Sequence, residues 1–108
     1  MVYDRETAKK GLPEGWSPLV DDIFEVAEVA GVQILFLLNN GGRIAVRSKE
    51  AFTGQAYVQI INLERDSSET CMHCGRFGRL RTGTETTILC EDCNDAGITV
   101  ERGQTKSP

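Results

Sequence analysis

Apolar residues in the first half of the chain recur with two different periods, which predicts two helices separated by a β-hairpin. The first helix opens at Ser17, whose hydroxyl can cap the free amides, and Pro18 suits the first helical position. Gly31 is its predicted end. The apolar face of this helix repeats every three or four residues, at Leu19, Ile23, Val26, Ala27 and Ala30.

The segment that follows has the pattern of a β-hairpin and then a second helix. Residues 32–38 are rich in β-forming side chains, and the Asn-Asn-Gly-Gly sequence at 39–42 is a strong turn signal. Residues 43–47 then alternate between apolar and polar, as a returning strand does. Residues 54–66 have helical spacing, but their β-branched side chains leave a strand open as the alternative.

Four cysteines in the second half form the pattern C-x2-C-x15-C-x2-C, at Cys71, Cys74, Cys90 and Cys93. This count and spacing are typical of a single structural zinc ion held by four thiolates. The spacer is long enough for a short hairpin with a Thr-Gly-Thr turn at 82–84, as in a zinc ribbon. Gly75 and Asn94, which follow the two pairs, are expected to be left-handed. His73, between two ligands, is expected to point away from the metal into solvent.

Other uses of four cysteines fit this chain less well. Two disulfides need an oxidising compartment, and no signal peptide is recognisable in the sequence. A thioredoxin-type site needs only one C-x-x-C pair, placed after a strand. Iron bound by four thiolates stays open as an alternative to zinc.

These elements predict an α+β fold with a helix–β-hairpin–helix front end and a C-terminal pair of zinc-ribbon-like knuckles that together supply four cysteine ligands. We expect residues 1–15 to be a flexible lead-in and 16–69 to be the helix–hairpin–helix core. Residues 70–100 form the predicted zinc ribbon, with a short strand at 98–100, and 101–108 form a flexible tail.

The sequence also bears on where the protein is located. The longest apolar run is residues 34–38, far shorter than the roughly 20 residues that a membrane-spanning helix needs. With thiols committed to a metal and no targeting segment recognised, we expect a cytoplasmic protein.

The acidic residues of the first predicted helix are the main candidates for partner binding. Residues 1–69 carry seven Lys/Arg against eleven Asp/Glu, whereas residues 70–108 carry five of each. The helix itself carries four acidic residues and no basic one, at Asp21, Asp22, Glu25 and Glu28. A same-sign stripe is slightly destabilising, and it would complement a basic protein surface, as in an inhibitor, immunity or adaptor protein. A merely solvated helix face is the plainer interpretation.

A nucleic-acid-binding zinc ribbon is the alternative function. Its contacts would be Arg76, Arg79 and Arg81, with Phe77 stacking on a base. These arginines could instead offset the negative charge of four thiolates, and one could pair with Glu85. An acidic protein is a poor general binder of phosphate, so we favour the protein-binding hypothesis. A homodimer through the apolar residues 34–38 is a third candidate.

The sequence shows few of the residues and motifs that an enzyme would need. His73 is the only histidine, and four thiolates leave a zinc ion no open position. No His-x-Glu precedes the first cysteine pair, as deaminase chemistry would require, and no phosphate-binding glycine motif is present. We therefore expect a protein that is not an enzyme.

One resemblance extends over most of residues 15–93. Its motifs are Gly15-Trp16-x-Pro18-Leu19, the Gly41-Gly42 turn, Glu64-x-x-Ser67-x-x-Thr70-Cys71-x-x-Cys74-Gly75, Gly78-x-Leu80-Arg81 and Leu89-Cys90-x-x-Cys93. In this order they resemble small uncharacterised proteins encoded by phages, prophages and other mobile elements of bacteria. Relatives commonly carry a Lys-Glu-Lys-Phe-type turn before the double glycine, and some end the ligand set with His where this chain has Cys93. The resemblance implies a helix–hairpin–helix with a zinc appendage and no established activity.

Overall fold

Helices and two-stranded antiparallel sheets make up the structure, a computed structural model that describes residues 3–81, 86–101 and 104–106. The predicted α+β class is confirmed. The helices are α1 Arg5–Gly11, α2 Ser17–Ala30, α3 Gly54–Ser67 and α4 Glu91–Asp95, with a 3₁₀ turn at Glu14–Trp16. The strands are β1 Ile34–Asn39, β2 Ile44–Ser48, β3 Arg79–Arg81, β4 Thr87–Leu89, β5 Thr99–Glu101 and β6 Gln104–Lys106.

Helix α2 occupies the predicted span, but its first turn is built differently. Ser17 already has helical backbone angles (φ −54°, ψ −44°), because the 3₁₀ turn leads directly into the helix, and no side chain caps α2. An N-cap residue needs an extended backbone, so the expected Ser17 cap does not form. Gly31 ends the helix in the left-handed conformation (φ 69°), as predicted.

The β1–β2 hairpin is the predicted one. Leu37 pairs with Val46 and Asn39 with Ile44 across the antiparallel ladder. Gly41 and Gly42 both take positive φ angles in the connecting turn, a conformation that other residues adopt only at a cost. The helical interpretation of residues 54–66 is confirmed by α3.

Side chains from the N-terminal segment and from α3 bond to backbone groups at the open edges of this hairpin. On β1, the Tyr3 hydroxyl accepts the Leu37 N–H (3.0 Å) and lies 3.4 Å from the Leu37 carbonyl oxygen, to which it donates. On β2, the Ile44 N–H donates to Ser67 Oγ (2.7 Å) and the Val46 N–H donates to Glu64 Oε2 (2.9 Å). Unpaired edges are the usual sites of strand addition, so pairing of a second copy through β1 would have to displace Tyr3.

The N-terminal region differs from the expected flexible lead-in. Asp4 caps α1 by accepting the Thr7 N–H (2.9 Å). Ala8 and Leu12 are 1% and 3% exposed and belong to the main core. Burial of this short apolar face, with ion pairs to α2 described below, orders a segment too short for its periodicity to stand out in sequence.

A single hydrophobic core runs from the helices into the cysteine-bearing region. Trp16, Met72 and Ile88 are at most 1% exposed and belong to the same buried cluster. The ribbon is therefore continuous with the core of the helices. None of the helices in the described ranges is long and apolar enough to cross a membrane.

The C-terminal residues also differ in part from expectation. Strand β5 begins at Thr99, close to the predicted strand at 98–100, and pairs with Gln104–Lys106, which lie in the expected flexible tail. The predicted turn at 82–84 and the proposed ion-pair partner Glu85 lie outside the described residues.

Candidate metal centre

The fold brings the four predicted ligands, Cys71, Cys74, Cys90 and Cys93, to one point. Their sulfur atoms all lie within 4.8 Å of one another, and those of Cys74 and Cys90 are 3.6 Å apart. Four sulfurs bound at about 2.3 Å to a tetrahedral ion would be about 3.8 Å apart. All four cysteines are unpaired thiols. The cluster has the donor atoms and spacing of a metal site and is consistent with one zinc ion.

The first knuckle is a tight turn between Cys71 and Cys74. The Gly75 N–H donates to the Cys71 carbonyl (3.0 Å), and the Cys71 N–H donates to the Arg76 carbonyl (2.7 Å). Gly75 has φ 82°, so the left-handed residue predicted after this cysteine pair is present. The turn holds both sulfurs on one side of the chain.

The second knuckle begins α4 instead of forming a matching turn. Cys90 is its N-cap, and its sulfur accepts the Cys93 N–H at 3.4 Å. Asn94 lies within α4, so its predicted left-handed conformation is wrong. The chain continues as a helix past Cys93, and the left-handed residue is Gly97 (φ 73°).

Strands β3 and β4 join the two knuckles as the predicted hairpin, with Leu80 opposite Ile88. The Met72 N–H donates to the Ile88 carbonyl (2.8 Å), which ties the first knuckle to β4. His73 lies outside the sulfur cluster. It was expected to face solvent, but it is half-buried. Its Nδ1 is buried without a hydrogen-bond partner among the described residues.

Gly15 and Trp16 clamp the first knuckle from the side of the helices, a contact that the sequence analysis missed. The Gly15 N–H donates to the Met72 carbonyl (2.8 Å), and Trp16 Nε1 donates to the Thr70 carbonyl (3.1 Å). A Cβ atom on Gly15 would lie only 2.0 Å from the Cys71 carbonyl oxygen. The Gly-Trp pair ahead of α2 was the available signal, because glycine permits close backbone approach.

The electrostatics of the cluster favour a bound cation. Burial opposes ionisation of the Cys71 thiol, but backbone N–H groups, those of Cys74 and Cys90 foremost, lower its pKa to about 6. Burial, followed by the neighbouring sulfurs, raises the pKa of Cys93 well above its usual value. Four thiolates this close repel one another, and a divalent ion supplies the charge that lets all four ionise. Four protein ligands leave such an ion no open position for a substrate.

Basic residues of α1 form ion pairs with two of the four acidic residues of α2. Asp21 lies 2.8 Å from Lys9 Nζ and 3.4 Å from Arg5, and Glu28 lies 3.2 Å from Arg5. The expectation of a stripe without a compensating neighbour is wrong for these two residues, because the basic side chains come from α1. The Lys9 hydrogen bond is the main cause that lowers the pKa of Asp21. Among the ion pairs of the described ranges, none involves Asp22 or Glu25.

The four candidates for nucleic-acid binding surround β3 but are not all free. Arg76 lies 3.6 Å from Asp92, with both side chains largely exposed. The Arg81 Nε donates to the Leu89 carbonyl at 3.3 Å. Arg79 is exposed, and Phe77 is 71% exposed. Phe77, Arg76 and Arg79 are thus exposed here, and Arg81 is half-buried.

Comparisons with protein-family models, with curated proteins and with solved structures each find no match.

Proposed function

We propose that this chain is a non-enzymatic protein-binding module of the inhibitor, immunity or adaptor type, held together by one structural zinc ion. Its partner presents a basic surface, which α2 contacts. The observation that carries this proposal is the exposed pair Asp22 and Glu25, which lacks the compensating cations that α1 provides for its neighbours. Complementary charge of this kind speeds association and selects the partner.

Zinc has a structural role in this proposal. Three of the four cysteines, Cys71, Cys90 and Cys93, belong to the main core, and Cys74 is exposed. Metal binding at this cluster therefore contributes directly to folding. Zinc is favoured over iron because C-x2-C pairs on a knuckle and a short helix are common in closed zinc sites. An origin in phages or other mobile elements and a cytoplasmic location stay predictions from the sequence.

A nucleic-acid-binding ribbon is the second candidate function, favoured by the exposure of Phe77. A ring that is 71% exposed beside Arg79 could stack on a base. The acidic front half and the ion pair of Arg76 with Asp92 reduce the electrostatic attraction to phosphate, and the bond from Arg81 Nε to the Leu89 carbonyl restricts that side chain.

Affinity capture of the tagged, zinc-loaded protein from bacterial lysate, with and without added nuclease, separates the two functions. A protein retained after nuclease treatment, and lost from the Asp22→Lys/Glu25→Lys variant, supports the binding module. Asp21 and Glu28 are left unchanged, since reversing them would break the contacts with α1. Capture that nuclease abolishes, and that Phe77→Ser/Arg79→Gln weakens, would instead support the ribbon.

A further inference from the structure

A groove between α2 and α3 lies beside the exposed acidic pair Asp22 and Glu25. It has a volume of about 450 Å³, and Val26 and Leu63 form its half-buried base. Val29 stands at its rim with 87% of its surface exposed, the most exposed of the large apolar side chains described. Covering a valine of this kind contributes up to about 1.5 kcal/mol. The groove thus offers apolar surface that the chain itself does not cover.

Acidic and amide groups form the walls of this groove. Asp22 and Glu25 line it from α2, and Gln59 and Asn62 line it from α3. None of these four side chains carries a formal positive charge. A ligand with phosphate or carboxylate groups would meet repulsion from the α2 wall, whereas Lys or Arg side chains would meet two carboxylates and two amide oxygens.

We infer that this groove is the contact site of the proposed binding module and that its ligand is a basic amphipathic helix. This inference rests on the proposed function and specifies its site and partner. On α2 the lining residues lie at positions 22, 25, 26 and 29, the i, i+3, i+4 and i+7 spacing of one helix face. They extend along about 10 Å of the axis, which matches two turns of a ligand helix.

An extended peptide fits this surface less well than a helix. Strand addition needs free backbone groups at a sheet edge, and the groove is bounded by two helices. The β1–β2 hairpin packs on α3, and backbone N–H groups at its edges already bond to Tyr3, Glu64 and Ser67. A helix instead needs an apolar groove for anchors at i, i+3 or i+4 and i+7, with polar groups at the rim. Both features are present.

The test uses two fluorescein-labelled 18-residue peptides that form amphipathic helices, one of Leu and Lys and one of Leu and Glu. Anisotropy titration measures their binding to the zinc-loaded full chain, and amide chemical shifts locate the contact. We expect the Leu/Lys peptide to bind and to shift residues of α2 and α3 around the groove. We expect the Leu/Glu peptide to bind at least about tenfold more weakly, since each 1.4 kcal/mol of charge interaction corresponds to tenfold.

Matched variants then separate the groove from general charge attraction. Asp22→Lys/Glu25→Lys should weaken binding of the Leu/Lys peptide at least about tenfold, since it replaces attraction by repulsion. Glu50→Lys/Glu69→Lys makes the same change in net charge at exposed positions elsewhere and should alter affinity by no more than about threefold. Val29→Asp should also weaken binding through loss of the apolar contact.

The groove assignment would be overturned if both charge-reversal variants lost the same affinity for the Leu/Lys peptide, or if the amide shifts were centred away from α2 and α3. Equal binding of the Leu/Glu peptide would overturn it as well. The lysate capture tells this failure from that of the proposed function. A nuclease-resistant protein partner that the Asp22→Lys/Glu25→Lys variant still captures would exclude the groove and the α2 contact and keep only a protein-binding role. Failure of both the peptide and the capture would remove both.

Discussion

Substitution of Gly15 by alanine tests whether the metal knuckle and the helices form one structural unit. The new Cβ would lie 2.0 Å from the Cys71 carbonyl oxygen, 2.7 Å from the Met72 carbonyl carbon and 2.9 Å from the Gly75 nitrogen. All three are backbone atoms, so no flexible side chain can move aside. The 3₁₀ turn and the first knuckle must therefore separate by more than an ångström.

The cost of this separation follows from two contributions. Loss of the Gly15 N–H bond to the Met72 carbonyl (2.8 Å) removes about 1 kcal/mol. Overpacking in a close-packed interior adds about 1–3 kcal/mol. The free energy of unfolding should thus fall by about 2–4 kcal/mol, a large part of the roughly 5–15 kcal/mol typical of a domain. Zinc affinity should fall as well, because the displaced segment carries Cys71.

Urea unfolding of the zinc-loaded protein measures the first effect. With a denaturant slope of about 1.5 kcal/mol per molar urea, the midpoint should fall by about 1.3–2.7 M. Gly11→Ala is the matched control, because a Cβ there meets no atom within 4 Å and alanine suits the helix end that Gly11 occupies. A Gly15→Ala midpoint equal to that of Gly11→Ala would refute the close contact between the two regions.

Three further predictions concern the metal, a strand edge and an ion pair. Cys93→Ser should lower zinc affinity by more than about 100-fold, because loss of a ligand costs more affinity than loss of a contact that supports a ligand; competition with a chromophoric chelator measures this effect. The same substitution should collapse the amide dispersion of residues 71–93 in the NMR spectrum. Tyr3→Phe should destabilise the protein by about 1–3 kcal/mol in thermal unfolding, because the Leu37 N–H loses its acceptor, and unchanged stability would count against the closed edge. The carboxyl of Asp21 should titrate below its usual pKa because Lys9 bonds to it; this stabilisation is present above the unfolded pKa near 4 and is lost as the pH falls through the lower folded value. Lys9→Gln should move the NMR titration midpoint back upward.

The sequence predicted those parts of the fold that depend on local pattern. The span of α2, its Gly31 end and the double-glycine turn of the hairpin are set by neighbouring residues, so periodicity and turn chemistry were sufficient. The core face of α2 was predicted only in part: Ile23 and Ala27 are buried as expected, but Val20 and Phe24 are buried too, and Ala30 is exposed. The metal site was predictable for another reason. Four ligands in two C-x2-C pairs leave few alternative arrangements, and the sulfurs of Cys71 and its three partners do converge.

The parts that were missed depend on contacts between residues distant in sequence. Helix α1 is stable because Leu12 enters the core and Arg5 reaches α2, and neither contact leaves a period in so short a segment. The conformation of Asn94 was missed because α4 continues beyond the last ligand. The close approach of Gly15 to the first knuckle was missed because the Gly-Trp pair permits close backbone approach but does not indicate which distant segment approaches it.

The links between the elements of the fold show which polar groups are already bonded and which are left exposed beside the groove. A chain of 108 residues buries a modest core, and small domains usually need additional links between their elements. Here the links are the sulfur cluster, the bonds of Trp16 and Gly15 to the first knuckle, and the side chains that close the edges of the β1–β2 hairpin. The polar groups in these links are already bonded and are therefore not free to recognise another molecule. Asp22, Glu25 and the exposed Val29 take part in none of these links, so charge and apolar surface remain together at this groove, as the proposed contact site requires.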